Sequence, residues 1–310
     1  MEKKTCLVTG ASGFIGKQLA LALKAKGQDV YCLERYVAGR TIYNRHTLKT
    51  VFADLNDHFA IQQVIRIVKP EIVFHVAALS PVAYSYEHPA EVIETNYVGT
   101  VNLAEACMRQ CCLKHFLFAG TSEEYGNQRA FPIKESAALM PNSPYSASKV
   151  AADMYLQYML ETYEFPVTVL RPFNTYGRTD DTHFLVESII WQMLNGDEIN
   201  LGMESPIRDL MYVSDHINAY LACFEKPLKC VGEAINFCTG KGWTIPEVVQ
   251  LIAEKLHWKG MVKWNTIPRR PNDILNLTGS NAKAKRLLGW VPEYSLEDGL
   301  ELTISRLKSK

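Results

Sequence analysis

Short apolar runs alternate with amphipathic stretches through the first half of the chain. The runs predict strands, and the stretches between them, with apolar positions at helical spacing, predict helices. Nearly continuous apolar strands separated by helices indicate a parallel sheet covered on both faces. The predicted strands are Thr5–Thr9, Val30–Leu33, Val51–Ala53, Ile72–Ala77, His115–Ala119 and Val167–Arg171. The predicted helices are Phe14–Lys26, His58–Val68, Ala90–Arg109 and Ser146–Tyr163.

From about Thr175 the pattern loosens, and short helices and strands alternate between prolines. We therefore predict an α/β fold with a Rossmann-type doubly wound parallel sheet over residues 1–174. A smaller C-terminal substrate lobe is expected over residues 175–310, on the carboxyl side of the sheet. The two lobes are expected to interleave, so this boundary is soft.

Composition removes several classes of function. Of the 310 residues, 33 are Lys or Arg and 33 are Asp or Glu, and this balance argues against a nucleic-acid or membrane-surface binder. No apolar run reaches the roughly 18 residues of a membrane span, and no signal-peptide pattern opens the sequence, so we expect a cytoplasmic protein. The eight cysteines form no CxxC pair or zinc spacing, and no metal site is predicted.

A glycine-rich turn follows the first predicted strand. Gly10, Gly13 and Gly16 form a GxxGxxG between a strand and a helix, the context that a dinucleotide-binding loop requires. The first glycine permits a tight turn, the second a close approach of the backbone to a pyrophosphate, and the third close packing of helix on strand. The helix N-terminus adds N–H groups and a partial positive charge.

The ends of the second and third strands bear on the choice of dinucleotide. Glu34 is placed to accept from ribose hydroxyls and to repel a 2′-phosphate, which favours NAD, whereas Arg35 beside it is suited to bind the 2′-phosphate of NADP. We predict NAD(P) as cofactor, with NAD preferred. Asp54 is placed to accept from the adenine amino group; alternatively, it is the N-cap of the helix that follows.

A YxxxK pair lies at the start of the last predicted helix of this half. Tyr145 and Lys149 are four residues apart, so their side chains share one helix face. We expect the ammonium to lower the phenol pKa from about 10, so that the tyrosine exchanges a hydroxyl proton while a nicotinamide exchanges the hydride.

The fifth strand ends in a run of polar residues. The carboxyl ends of strands face the ligand crevice in an open α/β sheet. Thr121 and Glu123, two apart on an extended chain, are therefore expected to meet Tyr145 there, whereas Glu124 is expected to point elsewhere.

Further motifs complete a pattern that runs over nearly the whole chain. Together with the glycine loop and YxxxK, they make the chain resemble the extended branch of the short-chain dehydrogenase/reductase superfamily, the nucleotide-sugar epimerases and dehydratases. The motifs are Phe74-His75-Val76-Ala77-Ala78, Asn96-Tyr97-Val98-Gly99-Thr100, Arg171-Pro172-Phe173-Asn174-Thr175-Tyr176-Gly177, Arg208-Asp209-Leu210-Met211-Tyr212-Val213-Ser214-Asp215, and Arg269-Arg270-Pro271.

The resemblance implies roles for individual residues. Arg208 and Arg270 would bind the diphosphate of a nucleotide-sugar substrate, and Asn174 would contact the same ligand. Ser80 and Ser85, in the loop after the fourth strand, would touch the sugar or serve only as turn residues. The resemblance also implies a homodimer through a four-helix bundle of the two long helices. The further residues placed at the cofactor are Phe14, Ile15, Leu55, Ala77 and Pro172.

The branch of the family depends on the end of the fifth strand. Thr121-Ser122-Glu123 is similar to the Thr-Ser-Glu of GDP-mannose 4,6-dehydratases, whereas epimerases tend to carry two small hydroxyl residues and no acid there. The resemblance thus implies a nucleotide-sugar 4,6-dehydratase with catalytic Thr121, Glu123, Tyr145 and Lys149. A 4-epimerase, a 4-keto-6-deoxy sugar reductase and a uronate decarboxylase of the same family remain alternatives.

Overall fold

The computed structural model describes residues 2–35, 48–110, 112–179 and 181–309. Seven strands within these ranges form one parallel sheet in the order β10-β6-β5-β4-β1-β2-β3. The strands in chain order are β1 (Thr5–Thr9), β2 (Asp29–Glu34), β3 (Lys49–Phe52), β4 (Ile72–His75), β5 (His115–Ala119), β6 (Val167–Pro172), β7 (Asn174–Tyr176), β8 (Glu198–Asn200), β9 (Ile207–Tyr212), β10 (Ala234–Phe237), β11 (Gly242–Thr244), β12 (Met261–Lys263) and β13 (Asn276–Leu277).

This strand order is doubly wound, and it confirms the predicted Rossmann-type α/β fold. The chain runs outward from β1 to β3, returns to β4 beside β1, and continues to β6 on the other side. Ligands of such sheets bind at the carboxyl edge where the order reverses, between β1 and β4. The glycine loop and the motif after β4 both lie at this edge.

Helices cover both faces of the sheet. One apolar core lies under α1 and α8, and the other under α2, α5 and α6. The helices are α1 (Phe14–Ala25), α2 (His58–Val68), α3 (Val82–Glu87), α4 (Pro89–Ile93), α5 (Gly99–Met108), α6 (Pro144–Tyr163), α7 (Leu185–Asn195), α8 (Val213–Glu225), α9 (Ile245–Leu256), α10 (Ala282–Leu288) and α11 (Leu296–Lys308).

Within the described ranges, the second half of the chain forms two small sheets. β9 pairs with β7, β11 and β13, while β12 pairs with β8. The second half also contributes β10 to the large sheet and α8 to its covering layer, so the two lobes interleave. The boundary near residue 174 stays a prediction.

Two predicted elements differ from the structure in an informative way. The single helix expected over Ala90–Arg109 is α4 and α5 joined by a π-helical turn over Glu94–Val98. The strand expected over Ile72–Ala77 ends at His75, because the N–H groups of Val76 and Ala77 donate to the Thr9 hydroxyl instead of to a neighbouring strand.

The two long helices expose only part of the apolar face that sequence assigned to a dimer. The apolar and aromatic residues of these helices that predict a dimer face include Val92 and Met159, and both are fully buried in the chain's own core, so that part of the prediction was wrong. Met154 and Tyr158 are 63% and 47% exposed, and other large apolar side chains beside them on α4, its π-helical turn and α6 are also exposed. These additional side chains are Ile93, Val98 and Tyr163.

Among the helices of the described ranges, none combines the length and apolar character that crossing a membrane requires.

Candidate active site

The glycine loop closes against the end of β4. Gly10 has a φ of +65°, and a Cβ on it would lie 2.8 Å from the Cα of Ala77. A Cβ on Gly16 would lie 2.2 Å from the Gly10 carbonyl oxygen. Both positions therefore require glycine, one for the turn and one for the close approach of α1 to β1. The N-cap of α1 is Gly13, and no side chain caps the helix start in the described part of the chain.

The ends of β2 and β3 place the residues expected at the adenosine. Glu34 is the last residue of β2, and Arg35 follows it, exposed. The alternative in which Asp54 caps the next helix is wrong, because Asp57 is the N-cap of α2 and accepts from Ala60 N–H. Asp54 accepts 2.9 Å from the N–H of Asn56, and its role at the adenine stays a prediction.

Tyr145 and Lys149 lie at the buried start of α6. Ser143 caps this helix and Pro144 is its first residue, which fixes where the helix begins. Burial raises the pKa of the Tyr145 phenol, while a hydrogen bond with Thr121 acts in the opposite direction. The expectation of a phenol pKa below about 10 is therefore wrong for the chain alone, since burial outweighs the hydrogen bond with Thr121 and the charge of Arg178.

Lys149 is itself a buried cation. Its Nζ lies 4.4 Å from the centre of the Phe118 ring. Burial lowers the pKa of its ammonium, and the carboxyl groups of Glu124 and Asp153 act in the opposite direction. The pKa of a lysine buried in this way shifts strongly when a charge is placed beside it.

Thr121 and Glu123 reach the site by a different backbone from the one predicted. The residues after β5 do not continue as a strand; Thr121 caps a 3₁₀ turn over Ser122–Tyr125. Thr121 nevertheless hydrogen-bonds Tyr145, and the charge of Glu123 acts on the same phenol. The tight turn brings together the three side chains that sequence placed on an extended chain.

The carboxyl of Glu123 interacts with several charged side chains. Burial raises the pKa of its carboxyl, whereas Arg208 and Arg270 lower it and Asp273 raises it further. Arg208 is buried on β9, and Arg270 forms a 3.1 Å ion pair with Asp273. Asp273, three residues after Arg270, was missed by the sequence analysis.

The other predicted substrate residues differ in burial and in the element that carries them. Asn174 begins β7, and its buried Oδ1 has no hydrogen-bond partner in the described part of the chain. Ser80 is an exposed loop residue. Ser85 was wrongly placed in a loop: it lies in α3, fully buried, and its hydroxyl donates to the carbonyl of Val82. A contact of Ser85 with substrate stays a prediction.

Arg178 was also missed, although it follows a motif that sequence did single out. Its guanidinium lies 4.4 Å from the ring centre of Phe14 and 3.6 Å from that of Phe184. It donates 2.6 Å to the carbonyl of Thr175, and its charge acts to lower the pKa of Tyr145. A cation packed on the first residue of α1 therefore joins the phosphate loop to the Tyr145 side of the site.

Tyr86 links three segments around Glu123. Its hydroxyl contacts the carbonyl of Asn142 at 3.0 Å and that of Pro271 at 2.9 Å. It thereby ties α3 and the start of α6 to the segment that carries Arg270. The whole arrangement offers a phenol and a carboxyl for proton transfer, arginines for a diphosphate, and a helix N-terminus for a second diphosphate.

Comparison with known proteins assigns this arrangement to a family. The family model for GDP-mannose 4,6-dehydratase matches residues 7–303. The UDP-glucose 4-epimerase of Mycolicibacterium smegmatis is 30% identical over 313 residues, with 98% of each chain covered. The dTDP-glucose 4,6-dehydratase of Xanthomonas campestris is 30% identical over 326 residues, with 97% of this chain and 92% of that protein covered.

Solved structures agree over the same length. The UDP-glucose 4-epimerase of Thermotoga maritima, crystallised with UDP-glucose, has a TM-score of 0.91 and 31% identity, with 98% of both chains covered. The UDP-glucose 4-epimerase of Thermus thermophilus in complex with NAD has a TM-score of 0.89 and 30% identity, again over 98% of both chains.

Proposed function

This chain belongs to the GDP-mannose 4,6-dehydratase family of the extended short-chain dehydrogenase/reductase superfamily, and on that basis we propose that it is a nucleotide-sugar 4,6-dehydratase. Its relatives are NAD-dependent enzymes acting on nucleotide sugars. The proposed reaction converts an NDP-hexose into an NDP-4-keto-6-deoxyhexose. The observation that supports it is Glu123, a half-buried carboxyl whose charge acts on the same phenol as Thr121.

The phosphate loop fits a nicotinamide dinucleotide. The backbone packs closely at Gly10 and Gly16, where a Cβ would prevent it. The start of α1 supplies N–H groups for a pyrophosphate. Gly13, Phe14 and Ile15 would lie at that pyrophosphate, and Tyr145 and Lys149 at the nicotinamide end. When bound, the nicotinamide takes a hydride from the sugar and returns it.

Tyr145 and Thr121 serve the first proton transfer. Tyr145 takes the proton of the C4 hydroxyl as the hydride leaves C4, and Thr121 hydrogen-bonds the C4 oxygen. The raised pKa of Tyr145 keeps the phenol protonated in the chain alone. Arg178 and the hydrogen bond with Thr121 lower this pKa. Lys149, four residues along the same helix, is the cation proposed to stabilise the phenolate once substrate and cofactor are bound.

Glu123 serves the elimination. The C4 ketone acidifies the C5–H bond, and Glu123 removes that proton. The C6 hydroxyl leaves with one proton as water, and C5 regains one as the hydride returns to C6. The two protons collected by Tyr145 and Glu123 therefore balance the two that are consumed. Where relatives use a separate aspartic acid to protonate the leaving C6 hydroxyl, this chain has Ser122. Glu123 therefore removes the C5 proton and also protonates the C6 hydroxyl as it leaves.

A 4-epimerase is the second candidate, because several of the relatives and neighbouring structures are UDP-glucose 4-epimerases. An epimerase needs Tyr145 and Thr121 but no base at C5. In that reaction the half-buried carboxyl of Glu123 would serve only to balance the charge of Arg208.

Incubation with GDP-, UDP-, CDP- and dTDP-hexoses, followed by mass spectrometry, separates the candidates. Loss of one water from one of these sugars is the expected result. No mass change with inversion at C4 supports the epimerase, and loss of carbon dioxide from an NDP-uronate supports a decarboxylase. Water loss from none of the hexoses would refute the dehydratase.

A further inference from the structure

Glu124, the residue after the proposed base, has no part in the mechanism above. It is fully buried, and its Oε1 accepts a 2.9 Å hydrogen bond from the backbone N–H of Thr121. This bond closes the capping box of the 3₁₀ turn. The carboxyl of Glu124 therefore holds the turn that carries Thr121 and Glu123.

The second oxygen of Glu124 has no donor in the described part of the chain. It forms a 2.8 Å ion pair with Nε of Arg171 without accepting a hydrogen bond from it. Nε and one terminal nitrogen donate to Oδ2 of Asp153 at 3.1 and 2.6 Å, and the other terminal nitrogen donates to Tyr125 at 3.0 Å. Two buried carboxyl groups thus share one guanidinium, and only Asp153 is hydrogen-bonded to it.

A proton on Glu124 removes the repulsion between these two buried carboxyl groups. A buried carboxylate without a donor is costly, and two carboxylates beside one cation cannot both ionise cheaply. Burial first, and then the charge of Asp153 and a hydrogen bond with it, raise the pKa of Glu124 well above its usual range. Arg171 and Lys149 act in the opposite direction without reversing it.

We propose that Glu124 is a positioning residue for Tyr145 and works in its protonated form. Its O–H donates to Asp153, its carbonyl oxygen holds the Thr121 turn, and Asp153 is left as the one ionised carboxyl that acts on Lys149. The inference rests on the proposed function only in making Tyr145 the base, which the dehydratase and the epimerase share. The titratable or charged groups that face Glu124 are Asp153, Lys149 and Tyr145 on α6, Arg171 on β6, and Tyr125 in its own turn.

When Glu124 is neutral, it does not offset the positive charge of Lys149, which can then stabilise the Tyr145 phenolate. An ionised Glu124 raises the pKa of the Tyr145 phenol and pairs with the Lys149 ammonium. Ionisation of Glu124 at alkaline pH therefore opposes ionisation of Tyr145. Near neutral pH, the proton between Glu124 and Asp153 therefore prevents Glu124 from raising the pKa of the Tyr145 phenol.

Glu124→Gln tests this directly. Glutamine keeps the carbonyl acceptor for Thr121, replaces the O–H donor by an N–H donor, and cannot ionise. We expect the rate of sugar oxidation, followed as reduced nicotinamide after rapid mixing, to stay within about threefold of wild type at neutral pH. The alkaline rise of that rate should move to lower pH by about one unit, the effect of removing one nearby charge. A change of tenfold or more at neutral pH, or an unmoved profile, overturns the proposal.

Infrared difference spectroscopy tests the proton without any substrate. Wild type minus Glu124→Gln at neutral pH should show the C=O stretch of a protonated carboxylic acid, and only the bands of a carboxylate would overturn the proposal. Glu161→Gln, at an exposed position of α6, should leave both the band and the pH profile unchanged. Because this readout needs no turnover, it stays decisive if the dehydratase assignment fails.

Discussion

Nδ1 of His75 lies 2.8 Å from Oγ1 of Thr9, where the parallel strands β4 and β1 end side by side. The Thr9 oxygen already accepts from the N–H groups of Val76 and Ala77, so its hydrogen goes to the imidazole. The other ring nitrogen then donates to Thr100 at 2.9 Å. His75 is therefore neutral, protonated at Nε2, and it holds the segment that packs against Gly10.

This relationship predicts that stability falls on mild acidification. Burial lowers the pKa of His75, and also that of His216, to about 3. A depressed pKa contributes stability that is present above the unfolded-state pKa of about 6.5 and is lost as pH falls from there towards 3. Between roughly pH 7 and 5.5, each histidine should cost about 1 kcal/mol of unfolding free energy.

Urea unfolding at several pH values measures the slope of the unfolding free energy against pH. His75→Gln should reduce the slope by the share of one histidine, whereas His183→Gln, at an exposed histidine, should leave it unchanged. Equal slopes in wild type and His75→Gln would show that His75 does not carry the effect.

Glu123→Gln should separate oxidation from elimination. Glutamine keeps the size of the side chain but cannot take the C5 proton, and loss of a general base typically costs about 10²–10⁴-fold. Hydride transfer from C4 should persist, so the variant should accumulate reduced nicotinamide and a 4-keto sugar that keeps its 6-hydroxyl. Absorbance and mass spectrometry after a single turnover detect both products.

Tyr145→Phe is the matched control for that experiment, because it should block even the first oxidation. Normal water loss in Glu123→Gln would make the carboxylate structural and shift the assignment to an epimerase or reductase.

Arg270→Ala should weaken substrate binding with little effect on the chemical step. A charge-assisted hydrogen bond contributes about 1.5–3 kcal/mol, so KM should rise roughly 10- to 100-fold while kcat changes little. Arg269→Ala, at the exposed neighbour, is the control and should leave KM near wild type. A fall in kcat at unchanged KM would place Arg270 outside the diphosphate site.

Binding measurements should show tighter binding of NAD than of NADP. Glu34, at the end of β2, repels a 2′-phosphate, and Glu34→Ala should narrow the preference by admitting NADP. A strong NADP preference in wild type would assign the dominant role to Arg35.

Sedimentation should give the mass of a homodimer at micromolar concentration. Met154 is 63% exposed on α6 in a patch with other apolar side chains, and Met154→Glu should shift the mass toward one chain. Leu228→Glu, at a side chain 99% exposed elsewhere, should leave the dimer intact. A monomeric wild type would contradict the four-helix interface.

Local sequence was enough to predict the fold class and most elements of the sheet. The strands β1 and β5 and the helix α2 have the predicted bounds, because apolar periodicity and turn residues act within a few positions. Gly10 and Gly16 were also readable, since a strand–glycine–helix order leaves few other uses for them.

Tertiary structure alone decided which electrostatic partners meet in the site. Arg178 on Phe14, Asp273 on Arg270, and the shared Arg171 of Glu124 and Asp153 join residues brought together by packing or by loops without a periodic pattern. Burial also reversed the pKa expected for Tyr145, because desolvation depends on the whole surrounding chain. Sequence spacing determines which side chains share a face, but the protonation of a buried group is set by everything packed around it.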